Sequence, residues 1–394
     1  MKKIAMVCQR YGLEVNGGAE LHCRQLAEKL TARYDVEVLT SCAMDYMTWS
    51  NEYPAGESMI NGVRVIRFAA ERERNIKRFN KLSEEVFCDT NHTDEQEREW
   101  IEEQGPYCPE LIEFVEEHHA DYHSVLFMTY LYYFSATCLP KGMKNALLIP
   151  TAHDEPPIYL RHYKSVFENV RGLIYNTHEE KALLEKMFDV KNTPSVMAGV
   201  GVDVPELDTS LTAGGLYGLD KYIVYAGRID ESKGCGRLFD YFQEYKKRNP
   251  GDLQLVLMGK AVMKVPKHRD IISLGFVSDE DKFIVMRDSV ALVLASEFES
   301  LSMVVLESMI LGRPVLVNGD CTVLKGHCLR SNAGLYFTAY FEFEMALNYL
   351  LGHPQEYAVM RENAKEYVNV NYRWDDITEK ISQLIETTCG EDAV

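Results

Sequence analysis

Short apolar runs alternate with amphipathic helical patterns through both halves of this 394-residue chain. In the first half the predicted strands are residues 4–8, 36–40, 63–68, 125–129, 146–150 and 172–176. In the second half they are residues 222–226, 253–258, 271–274, 290–295 and 314–318. Strands that alternate with helices form parallel sheets covered by helices on both faces. The pattern therefore predicts an α/β protein with two Rossmann-like, doubly wound domains.

The segment between the two halves, residues 199–216, is rich in Gly, Asp and Thr and has no sustained periodicity. We place the domain boundary there, which gives a first domain over 1–200 and a second over 201–370. The remaining residues, 371–394, contain apolar side chains at helical spacing. They predict an amphipathic C-terminal helix.

Charge and cysteine content restrict the kinds of partner and compartment. The net charge is −18 and the pI is near 5.1, which argues against a nucleic-acid partner because phosphate recognition there needs an excess of Lys and Arg. The apolar run near the start is too short for a signal peptide, and no stretch approaches the roughly 20 apolar residues of a membrane span. Ten cysteines without a CxxC pair indicate reduced thiols. The expected location is therefore cytoplasmic.

Glu299 and Glu307 lie eight residues apart, after the strand predicted at 290–295 and before a helix stop at Gly312. Residues 302–311 are predicted to form the intervening helix. The N-terminus of such a helix has free N–H groups and a partial positive charge, which favour a diphosphate. One glutamate can then accept hydrogen bonds from hydroxyl groups on each side of that anion. A nucleotide sugar has this layout, whereas the alternative is two solvated glutamates beside an ordinary helix.

A second motif, GRIDESKG, extends from Gly227 to Gly234 and follows the strand predicted at 222–226. It contains Arg228 and Lys233. Loops at the carboxyl ends of parallel strands converge on one crevice, so both cations can meet the same diphosphate. An arginine can bind two phosphate oxygens at once, while a lysine acts as a point charge. The alternative is a surface loop with mixed charges.

Together with GGAE at residues 17–20, these motifs resemble those of family 4 glycosyltransferases, which are retaining enzymes of the GT-B fold. The resemblance covers essentially the whole chain. It implies two domains that face a central cleft, with the acceptor in the first and the donor in the second, and a C-terminal helix that crosses back to the first domain. It also implies that Glu299 contacts hydroxyl groups of the donor sugar, that Glu307 holds the ribose, and that Arg228 and Lys233 bind the diphosphate.

The resemblance also implies a histidine at the catalytic centre, for which His153 is the best match. Members commonly have Gly-Phe-Gly after the first glutamate, whereas this chain has Ser300, Leu301 and Ser302. The backbone must therefore approach the phosphates without the conformational freedom of glycine. The further candidate donor contacts are Gly17, Gly18, Gly227, Gly259, Phe276, Val277, Leu301, Ser302 and Met303.

The sequence thus predicts a retaining glycosyltransferase that moves a sugar from a nucleotide-diphosphate donor, of UDP or GDP type, to a glycan or lipid-linked acceptor. The expected setting is the biosynthesis of cell-surface polysaccharide or glycoconjugate. Two cations and a helix N-terminus can stabilise the leaving diphosphate, so no metal or other cofactor is expected. Two alternatives stay open: a non-catalytic subunit that binds a nucleotide sugar, and a nucleotide-sugar epimerase on the same fold.

A basic amphipathic pattern lies between Arg72 and Val86. Either it rests on the inner membrane face near a lipid-linked acceptor, or its apolar stripe packs on its own domain.

Metal sites have weak support in the sequence. His119 and His123 are four residues apart, but their segment is better explained as a helix end followed by a strand, and the acidic residues at 279–281 as the first turn of a helix.

Overall fold

The protein is described from a computed structural model that covers residues 1–15, 17–89 and 91–389. These residues form two compact units. Unit 1 comprises Met1–Val200 and the segment that begins at Trp374, and unit 2 comprises Gly201–Arg373.

Unit 1 is built on an eight-stranded sheet in the order β3-β4-β2-β1-β5-β6-β7-β8. The strands are β1 (Lys3–Val7), β2 (Asp35–Ser41), β3 (Gly56–Ile60), β4 (Val63–Phe68), β5 (Ser124–Met128), β6 (Ala146–Ile149), β7 (Gly172–Tyr175) and β8 (Ser195–Met197). Paired strands run parallel except for β3 and β4, which are antiparallel. The central strands are buried runs of apolar side chains, as expected for a sheet covered on both faces.

Helices connect these strands. They are α1 (Gly18–Leu30), α2 (Ile76–Cys88), α3 (Asp94–Gln104), α4 (Pro109–His118), α5 (Tyr133–Cys138), α6 (His162–Glu168) and α7 (His178–Met187). Helix α1 shows the common pattern, since Cys23, Leu26, Ala27 and Leu30 form its buried stripe at helical spacing.

Unit 2 contains a six-stranded parallel sheet in the order β11-β10-β9-β12-β13-β14. Its strands are β9 (Tyr222–Ala226), β10 (Gln254–Met258), β11 (Ile271–Gly275), β12 (Leu292–Leu294), β13 (Val315–Asn318) and β14 (Gly334–Phe337). Its helices are α8 (Ala213–Tyr217), α9 (Cys235–Arg248), α10 (Asp279–Asp288), α11 (Met303–Ile310), α12 (Thr322–Ser331), α13 (Tyr340–Gly352) and α14 (Pro354–Asn371).

The last helix, α15 (Trp374–Cys389), packs within unit 1 against α1, β7 and β8. Its buried stripe contains Ile377, Ile381 and Ile385, each fully inaccessible to solvent. The predicted return of a C-terminal helix to the first unit is therefore confirmed, as is the prediction of two doubly wound α/β sheets.

Three strands of the structure are not predicted by the sequence pattern: β3, β8 and β14. Strand β3 is a largely exposed antiparallel strand at the sheet edge, so its sequence GESMI lacks the apolar run that marks the inner strands. Strand β8 has only three residues, none of them fully buried. Edge strands carry weak hydrophobic signals because one side has no neighbouring strand to cover it.

The basic segment forms α2, whose apolar side packs inside unit 1, as the second interpretation of that segment predicted. Leu82 and Val86 are buried, and the ring of Phe79 stacks on Trp100 of α3 at a centroid distance of 5.9 Å. Acidic side chains of α3 meet the basic ones, as in the 3.3 Å pair between Arg78 and Glu99.

No helix among residues 1–15, 17–89 and 91–389 is long and apolar enough to cross a membrane. The same residues contain no group of three or more His, Cys, Asp or Glu arranged to hold a metal ion. His119 lies in a 3-10 turn and contacts Asn145, and the His123 ring is 3.4 Å from Glu386, so the two histidines have separate partners.

Candidate functional site

The loops that follow β9 and β12 lie side by side in unit 2. Strands β9 and β12 are neighbours in the sheet, whereas the chain continues from β9 to β10 on one side and from β12 to β13 on the other. This is a topological switch point, where open α/β sheets bind ligands beyond the carboxyl ends of their strands. The first loop carries Arg228 and Lys233, and the second carries Glu299.

A salt bridge joins these two loops. The Nζ atom of Lys233 lies 2.8 Å from Oε1 of Glu299, and the two side chains are 35% and 15% exposed. The next residue, Gly234, has a φ of 68°, and a Cβ atom there would lie 2.1 Å from the carbonyl oxygen of Ala295. Only glycine permits this approach of the two backbones. The loop geometry therefore holds Lys233 opposite Glu299.

Asp230 organises the first loop, a role that sequence reasoning did not assign. Its carboxylate accepts hydrogen bonds from the Lys233 backbone N–H at 3.2 Å and from the Ser232 hydroxyl at 2.5 Å. It also forms an ion pair with the Arg228 guanidinium. Although burial acts to raise it, the Ser232 hydrogen bond and the Arg228 charge hold the pKa of Asp230 below its usual value. The carboxylate is therefore ionised and fixes both ends of the loop.

A glycine lies at the carboxyl end of each of three neighbouring strands of unit 2. Gly227, Gly259 and Gly275 follow or end β9, β10 and β11, and all three have positive φ angles. The Gly259 N–H donates to the Gly275 carbonyl at 2.8 Å, and a Cβ on Gly259 would lie 2.1 Å from the Gly227 carbonyl oxygen. Next to this surface, Phe276 is 75% exposed and Val277 is partly exposed. Backbone and one aromatic ring are therefore open to a ligand here.

Helix α11 begins with an unusual backbone conformation. Its N-cap residue is Ser302, which has a φ of 68° and makes no capping hydrogen bond with its side chain. Leu301 and Ser302 are buried, whereas Met303, the first helical residue, is half-buried. A residue with a side chain is disfavoured by about 1–2 kcal/mol in this left-handed region. Ser302 thus has a backbone conformation that glycine adopts more readily.

Glu307 also pairs with a lysine. Its Oε1 atom lies 2.9 Å from Nζ of Lys282, and the two side chains are 13% and 22% exposed. Lys282 lies in α10, at whose start the Ser278 side chain accepts a hydrogen bond from the Asp281 N–H. The acidic residues at 279–281 thus form the first turn of a helix, as predicted.

The unit 1 candidates follow β1 and β6, near a second switch point between β1 and β5. The Nδ1 atom of His153 lies 3.5 Å from Oε1 of Glu155, which accepts a hydrogen bond from the Tyr130 hydroxyl at 3.0 Å. Burial raises the pKa of Glu155 to about 7, partly offset by the Tyr130 hydrogen bond. A carboxyl group with a perturbed pKa beside a histidine is common at functional sites. Glu155 is not among the site residues that the sequence predicts.

A buried carboxylate supports the loop that carries His153. Glu180 is 1% exposed, and its two oxygens accept hydrogen bonds of 2.6 Å from the N–H groups of Ala152 and Asn176. These groups follow the neighbouring strands β6 and β7. Glu180 therefore fixes the residue directly before His153.

The GGAE motif begins α1, with Gly17 as the N-cap residue and Gly18 as the first helical residue. A Cβ on Gly17 would lie 2.1 Å from a carboxylate oxygen of Glu20. That carboxylate accepts hydrogen bonds from the buried Arg10 guanidinium at 2.6 Å and from the Gln9 amide at 2.8 Å. The motif therefore packs a buried ion pair against the loop after β1, and Gly17 leaves room for it.

Gly234→Ala is expected to lower the free energy of unfolding by about 2–4 kcal/mol, because it combines a positive φ with a clash against Ala295. Urea denaturation measures the effect. Gly218 also has a positive φ, but an added Cβ there would meet open space. Gly218→Ala should therefore lower the free energy of unfolding by only about 1 kcal/mol. Gly251→Ala, which has neither feature, should change stability by less than about 0.5 kcal/mol. Equal effects at Gly234 and Gly218 would contradict the close approach of the two loops.

Comparison with known proteins gives a family match. Residues 211–367 match the family model described as glycosyl transferases group 1. This part of unit 2 therefore matches the group 1 glycosyl transferases. The matched residues lie within unit 2 and include both lysine–glutamate pairs. Over 96% of each chain, this protein is 24% identical to an uncharacterized glycosyltransferase of Methanocaldococcus jannaschii.

Solved structures show the same two-unit fold. Sucrose-phosphate synthase from Thermosynechococcus elongatus matches with a TM-score of 0.72 and 18% identity, over 98% of this chain and 99% of that chain. Anabaena HepE in complex with UDP-glucose matches with a TM-score of 0.69 and 14% identity, over 98% of this chain and all (100%) of that one. The expectation of the GT-B fold is therefore confirmed.

Proposed function

We propose that this protein is a glycosyltransferase, which transfers a sugar from a nucleoside-diphosphate sugar to an acceptor hydroxyl with retention of anomeric configuration. The observation that carries the proposal is the pair of Lys233 and Glu299 across the switch point of unit 2. It places a cation, and a carboxylate that can accept hydrogen bonds from sugar hydroxyls, beside the start of α11. An anion binds such a helix start through free N–H groups.

Charge balance supports a diphosphate as the group held there. Without a ligand, Lys233 neutralises Glu299, and Arg228 neutralises Asp230. When a diphosphate binds, we expect the Lys233 ammonium to turn to it and Glu299 to accept hydrogen bonds from the sugar. The amide groups of α11 then stabilise the charge that develops on the leaving diphosphate. These groups supply the positive charge that the step needs, so the proposal includes no metal ion.

Glu307 is proposed to accept hydrogen bonds from the ribose, and the backbone beside Gly259, Phe276 and Val277 to contact the base. The donor is proposed to be a UDP-sugar, which is supported by the UDP-glucose bound to the similarly folded HepE. In unit 1, His153 is proposed to contact the donor sugar near its reacting carbon, with Glu155 as its neighbour at 3.5 Å. The start of α1, with Gly17 and Gly18, is proposed to contribute backbone contacts to the substrates.

The test is nucleotide release from a panel of UDP-, GDP- and ADP-sugars, each measured with and without glycan and lipid-linked acceptors. We expect release from a UDP-sugar to increase when the correct acceptor is present. A protein that binds donor but forms no product with any acceptor would instead be a binding subunit. Conversion of one nucleotide sugar into its epimer without an acceptor would favour the epimerase.

Glu307→Gln is expected to weaken the binding of free UDP by about 10-fold, because an ionised acceptor of ribose hydrogen bonds is lost. Isothermal titration calorimetry with UDP and with 2′,3′-dideoxy-UDP measures this. The variant should lose little affinity for the dideoxy ligand, which has no ribose hydroxyl groups for Glu307 to bind. Glu344→Gln is the matched control, since Glu344 pairs with Arg248 elsewhere in unit 2. An equal loss for both ligands would remove Glu307 from the ribose site.

A further inference from the structure

A buried histidine contacts the turn that precedes α11. His327 of α12 is fully inaccessible to solvent, and its Nε2 atom lies 2.8 Å from the carbonyl oxygen of Leu301. Its Nδ1 atom lies 3.0 Å from the Tyr367 hydroxyl. A carbonyl oxygen only accepts, so Nε2 carries a proton, and in a neutral imidazole Nδ1 then accepts from the Tyr367 hydroxyl. The two contacts therefore determine the tautomer.

The contact with Tyr367 extends into a buried network. The Tyr367 hydroxyl lies 3.2 Å from that of Tyr372 and 3.4 Å from Nε of Arg330. Because the Tyr367 hydroxyl donates its hydrogen bond to His327, it accepts hydrogen bonds from the Tyr372 hydroxyl and from Nε of Arg330. The His327 ring is thus restrained from the side opposite Leu301, and it cannot rotate without breaking a hydrogen bond on each side.

This restraint fixes the orientation of one peptide plane. The peptide between Leu301 and Ser302 is planar and trans, so its N–H points opposite to its C=O. His327 draws the Leu301 carbonyl into the interior of unit 2, which directs the Ser302 N–H the other way. Ser302, which follows this peptide bond, has a φ of 68° although it carries a side chain. An outside contact is needed to hold a side-chain-bearing residue in that region.

We propose that His327 is a positioning residue for donor binding: it holds the Leu301–Ser302 peptide so that the Ser302 N–H is presented to the diphosphate. This inference rests on the proposed function of unit 2. It explains how the chain keeps a glycine-like turn after glycine has been replaced. His327 compensates for the conformational preference of Ser302, and the two residues act as a pair.

The experiment is a double-mutant cycle on UDP binding. His327→Leu removes the hydrogen bond, and Ser302→Gly makes the positive φ accessible without it. We expect His327→Leu to weaken UDP binding by about 10-fold when residue 302 is the wild-type serine. In the Ser302→Gly variant, the same change should weaken UDP binding by less than about 3-fold. Additive effects would overturn the pairing. If the wild-type protein binds no UDP, the proposed function fails; if it binds UDP and His327→Leu binds equally well, only this inference fails.

Two further variants separate positioning from general stability. The amide of Gln can reach the place of Nε2 and donate to the Leu301 carbonyl, whereas Asn reaches only the place of Nδ1. We therefore expect His327→Gln to keep most of the UDP affinity and His327→Asn to lose it, and equal affinities would overturn the inference even if His327→Leu does not fold. His162→Leu is the matched control, because the His162 ring also contacts a carbonyl, that of Ala136 in unit 1, at 2.7 Å. It should leave UDP affinity unchanged.

Discussion

Lys233→Ala is expected to lower kcat/KM for the donor by about 10²–10³-fold, the usual effect of removing one group that stabilises developing negative charge. Two changes combine at this position. The variant removes a cation from the leaving diphosphate, and it leaves the mostly buried carboxylate of Glu299 without the partner that lies 2.8 Å away. Steady-state nucleotide release at several donor concentrations measures the loss, and circular dichroism should show an unchanged fold.

The Lys233 prediction has two controls. Lys247→Ala removes an exposed lysine that pairs with Glu244, and it should leave activity within about 2-fold of the wild type, since exposed pairs contribute little. The double variant Lys233→Ala with Glu299→Gln tests whether the unpaired Glu299 carboxylate repels the diphosphate. If the unpaired carboxylate causes part of the effect, the double variant should bind free UDP more tightly than Lys233→Ala alone. Near wild-type activity of Lys233→Ala would contradict the proposed role.

Glu180→Ala is expected to lower the free energy of unfolding of unit 1 by about 3–5 kcal/mol. The carboxyl group is fully buried, and its loss leaves the N–H groups of Ala152 and Asn176 without acceptors, at about 1–3 kcal/mol each. Denaturation in urea, followed by circular dichroism, measures the change. Glu185→Ala is the matched control on the same helix, because its carboxylate is partly exposed and only 3.7 Å from Lys181, so it should cost less than about 0.5 kcal/mol.

The pH dependence of stability provides a second measurement on Glu180. Burial raises the pKa of Glu180 to about 8, above the 4.5 of an unfolded chain. The folded state therefore binds the proton more tightly, and the resulting stability is complete below pH 4.5 and lost as the pH rises through 8. The stability of the wild type relative to Glu180→Gln should thus decrease between pH 5 and 9. A constant difference over that range would show that Glu180 does not titrate there.

The strands and several helix boundaries could be predicted because they depend on local sequence. Inner strands of a parallel sheet are continuous apolar runs, and β4 and β9 have the predicted bounds. Gly312 ends α11 with a φ of 68°, as its position after the helix suggested. The acidic turn at the start of α10 followed from the same kind of signal.

The partners of the candidate site residues could not be predicted in the same way. Lys282 precedes Glu307 by 25 positions, and their contact depends on how α10 and α11 pack. Glu180 looked like an ordinary acidic residue in the first turn of a helix, where the helix dipole favours it. Its burial became visible only when β6 and β7 were paired. Asp230 and Glu155 are similar cases, since single acidic residues in loops have no distinctive spacing.

The position of α15 in the chain has a consequence for biosynthesis. The helix covers β7 and β8, where Gly172 leaves room for the Leu384 side chain, yet all of unit 2 is translated before it. A nascent polypeptide on the ribosome therefore contains a complete unit 2 while the apolar surface beneath α15 is still uncovered. We expect unit 1 to acquire its final stability late in translation, after unit 2 has done so.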